Sequence, residues 1–378
     1  MNAYITKISK FLPGDPVENE QMENYLGKIG NTPSKARRII LAKNGIKRRY
    51  YAIGNDGKLT YTNHAMAAKA VKGLFDDKIG AKDIDLLSCG TGSPEQIIPS
   101  HGVMVHGELP ESKNIEVVSF AGSCCTGMDA LKYASLSVET GQSKNAAVTA
   151  SERVSAWIRA PYFEKEGEYL SQLEKQPMLA FQKEFLRWML SDGAYALLVQ
   201  PHPNKETLSL RIDWIEICSF ASKYKTCMYA GGELDEMGEL KGWSQFSEQE
   251  WLTKSLFAIK QDTRMLGENI VKLGIEFLLE LGEKYNFKPD DIDWFLPHLS
   301  SMYFKDIILQ ECQKCNFYFP EDKWFINLPY IGNIASASGF AMLEELLYSG
   351  RLKKGEKILL MIPESARFSY CYCMLTVC

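Results

Sequence analysis

A strand, turn, helix rhythm runs through this chain twice, and it constrains the fold more than any other feature. In the first half Ile84-Asp-Leu-Leu-Ser88 reads as a strand that runs into Gly90-Thr-Gly-Ser-Pro94. Ile115-Glu-Val-Val-Ser-Phe120 is a second strand by its β-branched content. It leads through Ala-Gly-Ser into Cys124-Cys125. The apolar positions Met128, Leu131, Ala134, Leu136 and Val138 then predict a buried helix from Thr126 to Glu139, stopped at Gly141. Ala146–Ala150 and Ala194–Val199 are further short apolar strands. In the second half a helix is predicted from Leu266 to about Tyr285. After it, Asp291-Ile-Asp-Trp-Phe-Leu296 echoes Lys82-Asp-Ile-Asp-Leu-Leu87, and both segments stand just before a turn. Ile358-Leu-Leu-Met-Ile362 begins a closing strand. Strands alternating with helices predict α/β layers with buried sheets. The stretch from Arg153 to Met189, rich in charge and aromatics, reads as an excursion from that core.

With 378 residues the chain is long enough for two core-sized units or one large α/β body. A formal net charge of −4 gives no bulk electrostatic case for nucleic acid. Met1–Leu12 lacks the continuous apolar core of a secretory signal. No apolar run approaches the roughly 20 residues of a membrane span. Ten cysteines without such a signal read as reduced thiols, so a cytoplasmic location is expected. Cys312-x-x-Cys315 lacks a second ligand pair at a usable spacing, and no metal or other cofactor is expected.

Three residues stand out as carriers of chemistry. Cys125 falls where a strand ends and a helix begins, and the unpaired N–H groups of a helix N-terminus favour thiolate over thiol. Gly127 would leave room beside its sulfur. The plainer reading is that Cys124 and Cys125 are small core residues. Nucleophilic chemistry needs a base or orienting group. Of five histidines, His298 follows the strand Trp294-Phe-Leu296 through Pro297 and so stands at a strand end. Asn333 lies in Tyr330-Ile-Gly-Asn-Ile-Ala-Ser-Ala-Ser-Gly339, a small-residue loop opening a helix, where a helix cap is the other reading.

Taken in order, these segments resemble the β-ketoacyl-acyl-carrier-protein synthase III family of the thiolase superfamily, almost end to end. Gly45-Ile-Lys-Arg-Arg49 is similar to the family's Gly-Ile-x-x-Arg. Gly90-Thr-Gly-Ser-Pro94 with Pro99-Ser100 is similar to Thr-x-Thr-Pro…Phe-Pro-Ser. Ser123-Cys-Cys-Thr-Gly127 matches Ala-Cys-x-Gly, which assigns the nucleophile to Cys125 rather than Cys124. Ser191-Asp-Gly-Ala-Tyr-Ala196, Pro297-His298 and Gly332-Asn333 match Gly-Asp-Gly-Ala-x-Ala, the Pro-His of Pro-His-Gln-Ala-Asn and Gly-Asn-Thr-Ser-Ala. The resemblance implies a duplicated thiolase fold, layered α-β-α-β-α with two mixed sheets. Residues 1–205 would be the half carrying the nucleophile, with the excursion at about 153–189, and residues 206–378 the half carrying His and Asn. It implies a homodimeric acyltransferase in which Cys125 takes the acyl group as a thioester. His298 and Asn333 would donate hydrogen bonds to the extender thioester as its enolate forms. Acyl-carrier protein or acyl-coenzyme A thioesters would be the partners.

Three departures from the family pattern matter. The glycine-rich loop near the end, of the kind Phe-Gly-Gly-Gly-Phe-Thr-Trp, is replaced by Pro363-Glu-Ser-Ala-Arg-Phe-Ser-Tyr370. Glycines let backbone approach a ligand. In their place Glu364 and Arg367 are expected to pair as a clasp, or one of them to act on the substrate, with Ser365 between them at the substrate. The family's coenzyme-A-stacking Trp and its companion Arg fall at Ile39 and Lys43, which points to carrier-bound substrates. The Phe bounding the acyl tunnel falls at Ile98, a smaller residue that would admit a longer chain. Lys35, Arg37 and Arg38, with Lys43, form a basic cluster suited to an acidic carrier protein, or simply a solvated helix face.

The Pro-Glu-Ser-Ala-Arg-Phe-Ser ending, together with Ser-Cys-Cys-Thr-Gly, resembles one branch, the dialkylresorcinol-forming ketosynthases of flexirubin and stilbene-type pathways (the DarB type). That resemblance implies condensation of a β-ketoacyl thioester with an α,β-unsaturated acyl thioester to a cyclohexanedione, aromatised by a downstream partner. A decarboxylating condensing enzyme of fatty-acid or polyketide synthesis, a non-condensing acyltransferase and an inactive dimerisation partner are the competing readings.

Overall fold

The computed structural model describes residues 1–163 and 184–378. The centre of the charged, aromatic excursion expected at 153–189 therefore lies outside the described residues. Nine strands form one mixed sheet. Along the chain they are β1 (Ala3–Phe11), β2 (Leu86–Thr91), β3 (Glu116–Ala121), β4 (Ala146–Glu152), β5 (Gly193–Gln200), β6 (Leu210–Ser219), β7 (Trp294–Pro297), β8 (Lys357–Glu364) and β9 (Ser369–Val377). Their spatial order is β7-β8-β9-β6-β1-β5-β4-β2-β3. The helices that matter here are α1 (Asn63–Lys72), α2 (Thr126–Glu139), α3 (Thr263–Tyr285), α4 (Tyr303–Lys314) and α5 (Ser338–Tyr348).

The two halves share one pairing plan. In the first, β1 runs antiparallel to β5, β5 antiparallel to β4, and β4 parallel to β2. In the second, β6 runs antiparallel to β9, β9 antiparallel to β8, and β8 parallel to β7. The two mixed sheets meet edge to edge through Ala3↔Ile212, Tyr4↔Arg211 and Ile5↔Leu210, so they are continuous rather than separate.

The Asp-Ile-Asp echo has a structural cause. Asp83 Oδ2 accepts the Gly80 N–H at 2.8 Å, and Asp291 Oδ2 accepts the Lys288 N–H at 2.8 Å; each closes a short turn before a strand. Two residues on, Asp85 accepts the N–H groups of Lys144 and Asn145 at the start of β4, and Asp293 accepts that of Lys357 at the start of β8. One residue pattern thus fixes equivalent strand pairs in both halves.

Burial follows the layers. Helices α2 and α5 share one core with both half-sheets, through Met128, Leu131, Phe340 and Leu343. Helix α1 packs on the other face of the first half through Met66, Ala67 and Val71. Helices α3 and α4 cover the second half through Ile270, Leu278, Phe304 and Ile308. Among the described residues no helix is long and apolar enough to cross a membrane.

Candidate active site

Cys125 is the N-cap of α2, and its carbonyl accepts the Met128 and Asp129 N–H groups at 2.9 Å. Its own N–H is free of the helix, as first-turn N–H groups are. That N–H is taken by Glu364 Oε2 at 2.9 Å, and the Cys125 thiol donates to Ile362 O at 3.3 Å. The carboxylate comes from the end of β8, in the loop where the resembling family carries glycine.

A cavity of about 190 Å³ opens beside this point. Its polar wall holds Ser123, Cys124, Glu152, Gln261, His298, Asn333 and Ser365, and its apolar wall includes Val154, Trp157, Leu186, Leu266, Ile270 and Phe304. Cys124 faces this space, whereas Cys125 lies one residue behind it. The helix N-terminus was expected to favour thiolate at Cys125. Instead burial first, and the Glu364 charge second, push that thiol well above its ordinary range. The same two causes hold Cys124 up at about 12. Gly127 does not leave room for substrate. A Cβ there would stand 2.4 Å from Ser336 O, so the missing side chain serves the close approach of the 335–337 turn to α2.

His298 follows β7 directly, and its N–H donates to Met361 O on β8 at 2.8 Å. Burial of the imidazole pushes its pKa down to about 4, so the ring is neutral and one nitrogen carries a donor proton. Asn333 is held by backbone bonds on both sides: its N–H to Met189 O at 3.1 Å and its carbonyl to Ser191 N at 2.9 Å. Gly332 has φ +78°, and a Cβ there would stand 2.8 Å from Ser191 Cβ, which is why glycine precedes Asn333. Asn333 Oδ1 accepts the Ala335 N–H at 2.9 Å, so the NH2 end of the carboxamide is the part left for the cavity. His298 and Asn333 thus bring two neutral donors to one wall.

Glu152 was not singled out from the sequence. It ends β4, is fully buried, and lines the cavity. Its carboxylate accepts from Gly92 N at 2.9 Å, Ser336 Oγ at 2.6 Å and Ser93 Oγ at 2.5 Å, while burial raises its pKa. The one available signal was an acid closing the apolar run Ala146-Ala-Val-Thr-Ala-Ser-Glu152. The Ser191-Asp-Gly segment is structural: Asp192 accepts the Ala52 and Ser155 N–H groups at 2.7 and 2.8 Å and lies outside the cavity wall.

Other expectations are corrected. Glu364 and Arg367 do not pair; Glu364 turns to Cys125, and the exposed Arg367 donates to Tyr224 O at 2.9 Å. Ser365 lines the cavity and accepts from Gln261 Nε2 at 2.8 Å. Ile98 is not on the cavity wall of its own chain; it is 85% exposed. In the basic cluster Lys35, Arg38 and Lys43 are exposed, but Arg37 is tied to Glu23 at 2.8 Å and to Asn19 O at 2.7 Å. Ile39 is exposed beside them.

Comparison with known proteins bears on this geometry. Residues 283–362, which hold His298 and Asn333, match the family described as 3-Oxoacyl-[acyl-carrier-protein (ACP)] synthase III C terminal. The Beta-ketoacyl-[acyl-carrier-protein] synthase III of Clostridium novyi is 26% identical over 362 residues, covering 95% of this chain and 94% of that one. Its counterpart in Clostridium perfringens is 24% identical over 360 residues, covering 95% of each chain. Among solved structures, the tetronic acid condensing enzyme AbyA1 superposes with a TM-score of 0.76 at 18% identity, covering 99% of each chain. OleA of Xanthomonas campestris, solved with lauric acid and lauroyl-CoA, has a TM-score of 0.75 at 18% identity, covering 100% of this chain and 99% of its own. The fold and the comparisons together define a thiolase-fold condensing enzyme, an acyl-transferring ketosynthase. Within that class, the chain is similar along nearly its whole length to the β-ketoacyl-acyl-carrier-protein synthase III family.

Proposed function

We propose that this enzyme joins a β-ketoacyl thioester to an α,β-unsaturated acyl thioester and closes a cyclohexanedione ring, the precursor of a dialkylresorcinol. The observation that carries the reading is the rewritten loop after β8. Where the resembling family places glycines, this chain places a carboxylate on the N–H of Cys125. Decarboxylation of a malonyl unit generates an enolate without removing a proton from carbon. A β-ketoacyl donor instead carries an acidic methylene between two carbonyls, which can be deprotonated directly. A carboxylate has a use as proton acceptor from carbon only in the second chemistry.

In this reading Cys125 carries the enoyl group as a thioester. His298 and Asn333 donate to the carbonyl oxygen of the β-ketoacyl thioester, where negative charge develops. Both side chains are neutral donors, so the charge they meet is not cancelled before the reaction. The apolar wall from Val154 to Phe304 receives acyl chain. The exposed Lys35, Arg38 and Lys43 meet an acidic carrier protein, the chain acts as a homodimer, and a separate aromatising enzyme takes the product. The names of the curated relatives favour a second reading, decarboxylating two-carbon extension.

The test supplies purified enzyme with a β-ketoacyl thioester and a 2-enoyl thioester, without malonyl donor, and identifies products by mass spectrometry. A cyclohexanedione carboxylate, or its decarboxylated form, is expected. No such product, with a two-carbon extension once malonyl-carrier protein is added, returns the enzyme to the decarboxylating class.

A further inference from the structure

We infer that Glu364 is the general base that removes the C2 proton of the β-ketoacyl thioester; this rests on the cyclising reading and assigns its proton transfer.

Position comes first. Pro363 and Ser365 line the cavity, and Glu364 between them lies just behind that wall with Cys125, its carboxylate reaching the N–H of Cys125 at 2.9 Å. Glu364 is half-buried, and among the described residues it makes no ion pair; the charges that act on it are those of Asp129 and Glu152. Arg367, the nearest cation along the chain, bonds Tyr224 O instead. The groups that face Glu364 are Cys124, Cys125, Asp129 and Glu152, all neutral or acidic. A carboxylate among acidic neighbours and without a counter-ion gains by taking a proton. Burial and the Asp129 and Glu152 charges raise its affinity for one, and the N–H groups of Cys125 and Ser123 draw it back. Glu152, the carboxylate that lines the cavity itself, is already saturated by two serine hydroxyls and two backbone N–H groups. His298, pushed down to about 4, is a poor proton acceptor.

The contact with Cys125 also supplies a sequence of events. Once Cys125 is acylated, the thioester carbonyl competes for the Cys125 N–H, and the displaced carboxylate turns to the second substrate. The C2–H bond of the β-ketoacyl thioester breaks, an O–H bond forms on Glu364, and the electron pair spreads into the two flanking carbonyls. The enolate carbon then bonds C3 of the enoyl group. The π pair of that group moves to its α carbon, which takes the proton back from Glu364. The carboxylate is thereby regenerated, and the ring closes in a second step. C4 of the β-ketoacyl unit loses a proton and bonds the thioester carbonyl carbon, the C–S bond breaks, and Cys125 leaves as thiolate and takes up that proton, with no oxidant, reductant or metal.

The experiment compares wild type with Glu364→Gln and Glu364→Asp, each checked for an unchanged circular dichroism spectrum. Three quantities are read: acylation of the cysteine by a 2-enoyl thioester (intact mass), deuterium uptake at C2 of a β-ketoacyl thioester in D2O, and ring formation. For E364Q the expected result is acylation within about threefold of wild type and loss of enzyme-catalysed exchange and ring formation by about 10²–10⁴-fold. E364D should recover part of both. The wild-type rate should fall on the acid side as Glu364 protonates, and that limb should vanish in E364Q. Exchange and condensation at wild-type rate in E364Q would overturn the assignment, and so would a folded E364Q that fails at acylation alone. If wild type exchanges C2 but makes no ring, and E364Q does not exchange, the base stands and the cyclising reading falls.

Discussion

The thiol of Cys125 sits where two effects oppose each other. A helix N-terminus contributes about 0.3–1 kcal/mol toward an anion, rarely near 2. Full burial shifts a titratable group by up to about 3–5 pKa units, at about 1.4 kcal/mol each. Burial wins, and Glu364 adds to it. The resting enzyme therefore holds a thiol, and acylation requires that proton to leave as the thioester arrives. Cys124, on the cavity wall, is the rival nucleophile. Cys125→Ala should abolish acylation by acyl thioester while Cys124→Ala retains it, read by intact mass after brief incubation; the reverse pattern transfers the role to Cys124. His298 gives a pH test. Its pKa is about 6.5 unfolded and about 4 folded. A depressed folded value means the unfolded chain binds the proton first. The stabilisation is complete above about pH 6.5 and is lost as pH falls toward 4, by about 3 kcal/mol from this group. His101, also pushed to about 4 by burial, acts with the same sign. Denaturant melts of His298→Asn should lose a comparable share of the pH dependence between 6.5 and 4; an unchanged slope would show that His298 is not buried neutral. The same variant should acylate but fail to condense.

Much of the element order is legible in the sequence because local pattern and tertiary burial agree. The apolar spacing of Met128, Leu131, Ala134, Leu136 and Val138 gives the α2 limits as observed; four of the five are buried, while Leu136 is 51% exposed. The predicted start of α3 falls three residues late, because Asp262 caps the helix by accepting from Arg264 and Met265, a polar signal outside the apolar period. The repeated strand pairing supports the reading of residues 1–205 and 206–378 as two halves, which we carry as a proposal. What sequence could not give is whatever depends on distant packing: the burial that reverses the Cys125 shift, the turning of Glu364 toward Cys125, and the four donors around Glu152. Gly127 belongs to this class and provides a test. In an ordinary helix, glycine to alanine stabilises by up to about 1 kcal/mol. Here the added Cβ meets backbone, Ser336 O, which cannot swing aside. Gly127→Ala should therefore destabilise by about 1–3 kcal/mol or more in a denaturant titration, despite the helix propensity gained. A stabilised variant would show that α2 and the 335–337 turn, which leads from Asn333 into α5, are free to separate.

The nine-stranded sheet has two edges, and the molecule treats them differently. At β7 a bridge from Phe295 to Trp324, with Phe325 N donating to Phe295 O at 2.9 Å, lays a further segment along the edge. At β3 no strand pairs with the outer side among the described residues. An open edge invites pairing with another chain, and two copies of the same edge can satisfy each other across a twofold axis. Apolar surface accompanies it: Ser100 and Gly102, at the end of the loop that holds Ile97 and Ile98, hydrogen-bond Ser119 on β3. Ile97 and Ile98 are 75% and 85% exposed. A lone exposed isoleucine needs no explanation, but two in succession beside an unpaired strand fit an interface. These features support the homodimer expected from the resemblance. Because Ile98 touches little of its own chain, Ile98→Asp should leave the monomer's stability within about 0.5 kcal/mol. In a twofold dimer it places two carboxylates in the shared surface, and the dimer should weaken by at least about tenfold, or 1.4 kcal/mol. Sedimentation equilibrium across a concentration series reads this directly. A dimer whose dissociation constant is indifferent to the charge would move the interface away from β3, and a wild-type chain that stays monomeric at high concentration would remove it.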